Sequence, residues 1–513
     1  MALAASAVRL WMVAVPPYDR AVGLFDDDAY YYFRVARNLA RGAGSTFNGI
    51  DLTNGYHPVW QALLVPVFAV ADGRAALVLV TVVSSVLYVC SAVLLQRIGQ
   101  HCGHPALVVT CATPLLVSGV VGPSFWFSGM ETGLLLTALL ALSLLYLRRM
   151  SDTQVPRRGS VLVLGAAMAL VVLARLDAVF PMLVLGLATA ATWWRFGVRR
   201  CLILTGVLAA PAAATLAAYL AGNLAVFGTA LPVSGQAKAL GGGGFNAGVV
   251  AQFLSAPVVF GQELWVGLAA LVVALVALWT TPRGSSLRSL MRLGVTLLVG
   301  GVLTVGYYAA TSSWTLWAWY FYAAPLSLVM TAPGVLVRLP LPQMTWRRAA
   351  SVAPALVVLL VAVTAGRLAS GGVTRAAFVE NGPVLAARLA AVAPVDAPMA
   401  MGDRAGSVGF HLRRPLIHLE GLVESAGYLR ALQDGRVPDF LAQRGVGFYA
   451  RGDASPGAPE PAAGAGCRRF VEPQQGAGPK ADIVVCAGDL VVDVPLSDGT
   501  AYRVWRYRPE LNP

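Results

Sequence analysis

The chain has 513 residues, of which 57% are hydrophobic and only 12% charged, about half the roughly 25% charge of soluble domains. With a mean hydropathy of +0.67, it is not a soluble globular protein, a disordered chain or a coiled coil, and its long apolar runs do not alternate as the strands of an outer-membrane barrel would. The net charge of +13 does not point to nucleic acid, because no basic stripe carries interleaved aromatics. Lysine occurs only at Lys238 and Lys480, and many arginines form short clusters between apolar segments.

Apolar segments are predicted at 2–16, 57–72, 75–96, 105–122, 129–147, 159–174, 178–194, 201–221, 260–281, 293–311, 318–337 and 349–366. Four clusters separate the later ones: Arg148, Arg149, Arg157 and Arg158; Arg195, Arg199 and Arg200; Arg283, Arg288 and Arg292; Arg338, Arg347 and Arg348. This is the positive-inside pattern, which puts the loops near 150, 197, 287 and 343 in the cytoplasm. The loops near 176, 222–259 and 312–317 then lie outside, and so does the tail. Five full spans ahead of Arg148 would leave that residue on the wrong side. One early segment therefore does not cross, and 57–72, short and carrying Pro58 and Pro66, is the expected one. The first segment is short, so either the start is truncated or the helix extends toward Gly23; with no charged lead it does not read as a cleaved signal peptide. The expected architecture is an all-α polytopic membrane domain, residues 1–368, with about 11–13 transmembrane helices. A small extracytoplasmic α/β domain, 369–513, follows it. Arg-rich, Lys-poor usage suggests a bacterium, and the site expected is its inner (plasma) membrane.

Between the first two segments, within the loop 24–57, stands Asp26-Asp27-Asp28-Ala29-Tyr30-Tyr31-Tyr32-Phe33-Arg34. From Asp27 to Arg41 the periodicity is helical. Ala29, Phe33, Ala36 and Ala40 share one face, and Arg34, Arg37 and Arg41 another. The expectation is an amphipathic helix lying on the outer membrane surface, tyrosines at headgroup depth. Capping by the helix dipole explains one or two of the acids. Three at a membrane boundary are costly and mark a candidate site. Such a carboxylate suits proton removal from an attacking hydroxyl, and like neighbours raise its pKa toward a useful range. A divalent cation held by the acids is an open alternative.

The run Asp27-Asp28-Ala29-Tyr30-Tyr31-Tyr32-Phe33-Arg34, continuing to Asn54-Gly55-Tyr56-His57-Pro58 after a first membrane segment, resembles the first extracytoplasmic loop of the glycosyltransferase C superfamily. These are polytopic enzymes using polyprenyl-phosphate-linked sugars, and include aminoarabinose transferases, protein O-mannosyltransferases and arabinofuranosyltransferases. The resemblance implies a general base at the first acid of a pair. By motif match Asp27 is that base and Asp28 its neighbour, with Asp26 as an extra acid that leaves the register open by one. Asp26, Tyr30 and Arg34 are the substrate contacts expected beside them.

Further along the chain, four sites carry both a structural and a functional reading. His57 closes a turn, or donates to sugar or phosphate where the loop re-enters the membrane. Glu131, in Gly129-Met130-Glu131-Thr132, is a helix-start acid or a cavity ligand for sugar hydroxyls. Arg175 in Arg175-Leu176-Asp177 forms a local ion pair, or meets the lipid phosphate. Lys238 precedes the run Gly241–Gly244 and belongs to a solvated loop, or pairs with the donor phosphate as part of a gating loop. The aromatics between Trp314 and Tyr322 read as an interfacial belt. In the tail, strands are expected near 398–402, 415–419, 447–450, 483–487 and 501–507 and helices near 424–433 and 437–444, with a loose loop at 452–466. Asp403, His418 and Glu420 fall at strand ends. Cys467 and Cys486 form a disulfide if the tail lies outside.

The function expected is transfer, with inversion, of a sugar from a polyprenyl phosphate to an envelope glycan, lipid or protein, no cofactor being certain. Partners are the lipid-linked sugar, that acceptor and membrane lipids, not nucleic acid. The rivals are a flippase for lipid-linked saccharide, disfavoured because the Asp-rich loop has no second copy, and a non-catalytic envelope-assembly protein.

Overall fold

A computed structural model describes residues 2–121, 125–150, 154–255, 265–280, 287–337, 376–394 and 396–512. The segment 349–366 and the 368/369 boundary lie outside these. The front of the chain forms α1 (Ala2–Ala14), α2 (Tyr18–Val22), α3 (Asp27–Ala40), α4 (Pro58–Val70), α5 (Gly73–His101), α6 (Pro105–Val121) and α7 (Thr132–Arg149). Then come α8 (Arg158–Ala174), α9 (Val179–Trp193), α10 (Val198–Phe227), α11 (Val233–Ala239), α12 (Ala247–Ser255), α13 (Val266–Thr280), α14 (Leu287–Thr311) and α15 (Ala323–Leu336). Among the described residues, five stretches are long and apolar enough to cross a membrane: α5, α7, α10, α14 and Leu176–Phe196, which contains α9. The bundle's outer surface is apolar: Leu187, Leu202 and Leu275 are each more than 60% exposed, as lipid contact requires.

The segment expected not to cross is the short helix α4. Within α4 lies Pro66, and its 13 residues reach about 20 Å, short of the roughly 30 Å hydrocarbon core. Its C-terminal end lies beside the ends of α3 and α1. Asp72, just past α4, pairs with Arg41, which caps α3, at 2.7 Å. Arg74 donates to the carbonyls of Val13 and Ala14, where α1 ends, at 3.0 Å each. The long apolar helix α5 follows directly.

The tail is a small α/β domain. A five-stranded sheet has the order β2 (Leu416–His418), β1 (Met399–Met401), β3 (Phe448–Asp453), β8 (Ala501–Arg506), β7 (Leu490–Pro495). Its first three strands are parallel and the rest antiparallel. A second sheet orders β4 (Ala458–Pro459), β5 (Cys467–Glu472) and β6 (Ala481–Cys486). Cys467 and Cys486 face each other across β5 and β6 and form the disulfide. The strands expected at five places are present, as are helices Ala426–Gln433 and Val437–Gln443. The sequence reading missed β5 and β7. The stretch taken as a loose loop holds the end of β3 and the short β4.

The largest correction concerns α3, which forms over the expected residues but does not lie open on a membrane surface. Residues Ala29 through Arg37 are all buried. Tyr31, Val35 and Phe47 join the apolar core of the tail with Leu385 and Val408. On the opposite side, Ala29, Phe33 and Ala36 pack with Trp60 and Leu64 of α4. The basic face is covered too. Arg34 donates to the carbonyls of Gly409 and of Arg414, the latter at 2.6 Å, and Arg37 to that of Phe410 at 2.7 Å. Carbonyls about 370 positions later in the chain replace the headgroups that local periodicity suggested.

Candidate active site

At the seam between the helical bundle, the front loop and the tail is a small hollow. Asp28, His57, Glu131, Arg175 and Lys238, far apart in sequence, line it together. Each arrives from a different piece of backbone. Asp28 is in the first turn of α3 and His57 immediately precedes α4. Glu131 immediately precedes α7, Arg175 links α8 to Leu176–Ala178, and Lys238 lies in the last turn of α11.

Two glycines permit the close approach. Gly129 has φ +84°, and a Cβ there would run into Ala29 and Phe33, so the turn before Glu131 reaches α3 only as glycine. A Cβ on Gly55 would strike the carbonyl of Leu422, which brings the tail against the front loop. Asn54 secures the same loop, accepting from the Val233 amide at 3.0 Å.

One wall of the hollow is a buried ion-pair network. Arg175 is 2% exposed and Glu131 1%. The guanidinium donates through Nε to both oxygens of Asp177, at 2.9 and 3.1 Å, and through a terminal nitrogen to Glu131 Oε1 at 2.5 Å. Tyr32 donates to Glu131 Oε2 at 2.9 Å. Burial alone would raise the Glu131 pKa, but His57, Arg175 and the Tyr32 hydroxyl together hold it below the usual range. His57 Nδ1 accepts the Leu176 amide at 3.2 Å, so neutral His57 carries its proton on Nε2, 3.7 Å from Glu131. Burial lowers its pKa and favours that neutral form.

Facing this wall, Lys238 donates to the Tyr320 hydroxyl at 2.5 Å. Arg175 stacks over the same ring, 4.5 Å from its centroid. Burial opposes the ammonium charge, but Tyr320 and Asp28 more than offset that, leaving its pKa raised. Asp28 differs from the other acids. Among the described residues its carboxylate has no hydrogen bond and no ion pair. Burial pushes its pKa up to about 6, against the pull of Lys238.

The remaining expected site residues are elsewhere. Asp27 turns away from the hollow, accepting the amides of Gly406 and Ser407 at 2.8 Å each at the start of tail helix Ala405–His411. Burial raises its pKa to about 7, in opposition to those amides. The expectation of Asp27 beside a membrane-level hollow is therefore corrected by one residue. Asp26 immediately precedes α3, its amide bonded to the Ser128 carbonyl at 3.0 Å. Burial pushes its carboxyl up to about 7, with Asp28 adding to the rise and Arg9 opposing it. Tyr30 donates to the Val22 carbonyl at 2.8 Å, and Arg34 is engaged by the tail. Pro232–Lys238, expected as a solvated or gating loop, is mostly the helix α11. The sequence reading missed Tyr32, Ser234 and Tyr320 and the floor residues Leu422 and Val423. Tyr320 had been assigned to an interfacial belt, and nothing in a Leu-Val pair signals a cavity. Among the described residues, no three metal-ligating side chains come together.

No protein-family model and no curated protein matches the chain. Among solved structures it is similar to an oligosaccharyltransferase of Archaeoglobus fulgidus. In the complex with zinc and sulfate the identity is 12% and the TM-score 0.44, over 88% of this chain and 67% of that one. In the apo form the figures are 11% and 0.43, over 88% and 69%.

Proposed function

We propose that the chain is an inverting membrane glycosyltransferase of the C superfamily. It moves a sugar from a polyprenyl-phosphate donor to an envelope glycan, lipid or protein on the extracytoplasmic side. The observation that carries this reading is the free Asp28 carboxylate, facing Lys238 and Arg175 in a hollow at one end of the bundle. Glu131 cannot serve as the base while it holds Arg175. A carboxylate of pKa about 6 is ionised at neutral pH and basic enough for general-base work.

In this mechanism Asp28 takes the acceptor hydroxyl's proton as the oxygen attacks the anomeric carbon. The bond from that carbon to the phosphate oxygen breaks, and its electron pair leaves with the polyprenyl phosphate. One displacement inverts the anomeric centre. Lys238 and Arg175 stabilise the charge that grows on the departing phosphate. Tyr320 holds Lys238 in place, and Glu131 with Asp177 fixes the Arg175 fork. His57 offers its Nε2 proton to the sugar or phosphate.

The test uses the full chain in liposomes with a polyprenyl-phosphate sugar and envelope acceptor extract. Asp28→Asn is expected to lower turnover by about 10²–10⁴-fold with insertion and thermal midpoint unchanged. Retained turnover would remove Asp28 from the mechanism, and donor flipping without bond formation in the wild type would make the protein a transporter.

A further inference from the structure

A second, more open hollow lies at the same face of the bundle as the first and shares no lining residue with it. Its walls include Tyr18, Arg37, Asp72, Arg74, His411 and Arg413. They come from α2, from α3, from the start of α5 and from the tail. Because α1 ends at Ala14 and α5 begins at Gly73 beside it, the cleft lies where the bundle meets the headgroups.

The charges in it do not balance. Asp72 is the one carboxylate in the lining, and it already serves Arg41 at 2.7 Å and Arg37 at 3.6 Å. Among the described residues, Arg74 meets only the carbonyl dipoles of Val13 and Ala14 and the Tyr18 ring. Arg413 is exposed and, among the described residues, has neither a hydrogen bond nor an ion pair. His411 adds no positive charge, since burial holds its pKa near about 4; its Nε2 meets the Tyr18 hydroxyl at 2.9 Å. Burial, with Arg41 and Arg413 close by, depresses the Arg37 pKa even against Asp72. A group of arginines that destabilise one another is relieved by an anion placed among them. Cationic residues are also under-used on a translocated face, so four of them around one carboxylate need a reason. Guanidinium forks match the paired oxygens of a phosphate.

We propose that this cleft binds a phosphate group at headgroup depth, carried by a membrane phospholipid or by a soluble phosphate. The proposal takes from the glycosyltransferase reading only the orientation of the chain, and its test does not involve sugar transfer. The purified full chain is placed in nanodiscs of phosphatidylcholine alone, in the same discs with inorganic phosphate, and in discs containing phosphatidylglycerol. Lipid retained on extraction is counted by native mass spectrometry, and the thermal midpoint is followed in each. A phosphatidylglycerol molecule retained several-fold more by wild type than by Arg413→Gln assigns the cleft to a lipid headgroup. A phosphate-dependent rise in midpoint that Arg413→Gln abolishes assigns it to a soluble anion. Arg74→Gln is a second variant, and Arg430→Gln, outside the cleft, is the control. Both anions without effect, or effects equal in wild type and the two cleft variants, would overturn the proposal.

Discussion

Asp27 and Asp28 are adjacent acids with opposite tasks, and backbone geometry separates them. Successive helical side chains diverge by about 100°, so one carboxylate reaches the tail's amides while its neighbour enters the hollow. The free one predicts a pH profile. In the proposed mechanism Asp28 works ionised, and its pKa is raised to about 6, so kcat/KM is expected to be full above that pH and to fall as pH drops through about 6. An acid limb still centred there in the residual activity of Asp28→Asn would assign the titration to another group. Arg175 predicts a stability effect. Arg175→Met would strand Glu131 and Asp177 as buried, uncompensated charges, at a cost of about 3–5 kcal/mol, read as a lower thermal midpoint in detergent. An unchanged midpoint would show that those acids find other partners.

At the scale of elements, α3 is a shared core helix between the bundle and the tail, and α4 is a short helix between α3 and α5. Asp27→Ala removes two amide acceptors at the start of helix Ala405–His411 and is expected to cost about 0.5–2 kcal/mol. Faster hydrogen exchange of the Gly406 and Ser407 amides should accompany it, with turnover lowered far less than by Asp28→Asn. Comparable catalytic losses from the two variants would restore Asp27 to the chemistry. The α4 geometry is tested in a background lacking Cys90, Cys102, Cys111 and Cys201. In intact cells Ala71→Cys is expected to react with an impermeant maleimide, whereas a crossing α4 would protect it.

Across the molecule, the tail is part of the site. Leu422 and Val423 close the hollow, and Gly406, Phe410 and Arg414 hold the front loop from behind. The same labelling assay fixes the orientation of the whole chain. Asp434→Cys on the tail should react from outside, and Arg157→Cys between α7 and α8 only after permeabilisation. The reverse result would turn the hollow toward the cytosol and end the polyprenyl-phosphate reading.

Much was legible in the sequence because its causes are local. Long apolar helices follow from long apolar runs, α3 from its period, and the shortness of α4 from its prolines. Polar residues stranded at membrane boundaries pointed to His57, Glu131, Arg175 and Lys238, since such residues need a partner wherever they end up. Tertiary structure alone decided which acid faces the hollow, what covers Arg34 and Arg37, and that two apolar tail residues form its floor. Those outcomes depend on backbone groups hundreds of residues away, and a carbonyl or an amide has no identity in an amino-acid sequence. Only the folded chain, by bringing Gly406 to Asp27 and Leu422 to Gly55, turns a run of like acids into one anchored carboxylate and one facing the hollow.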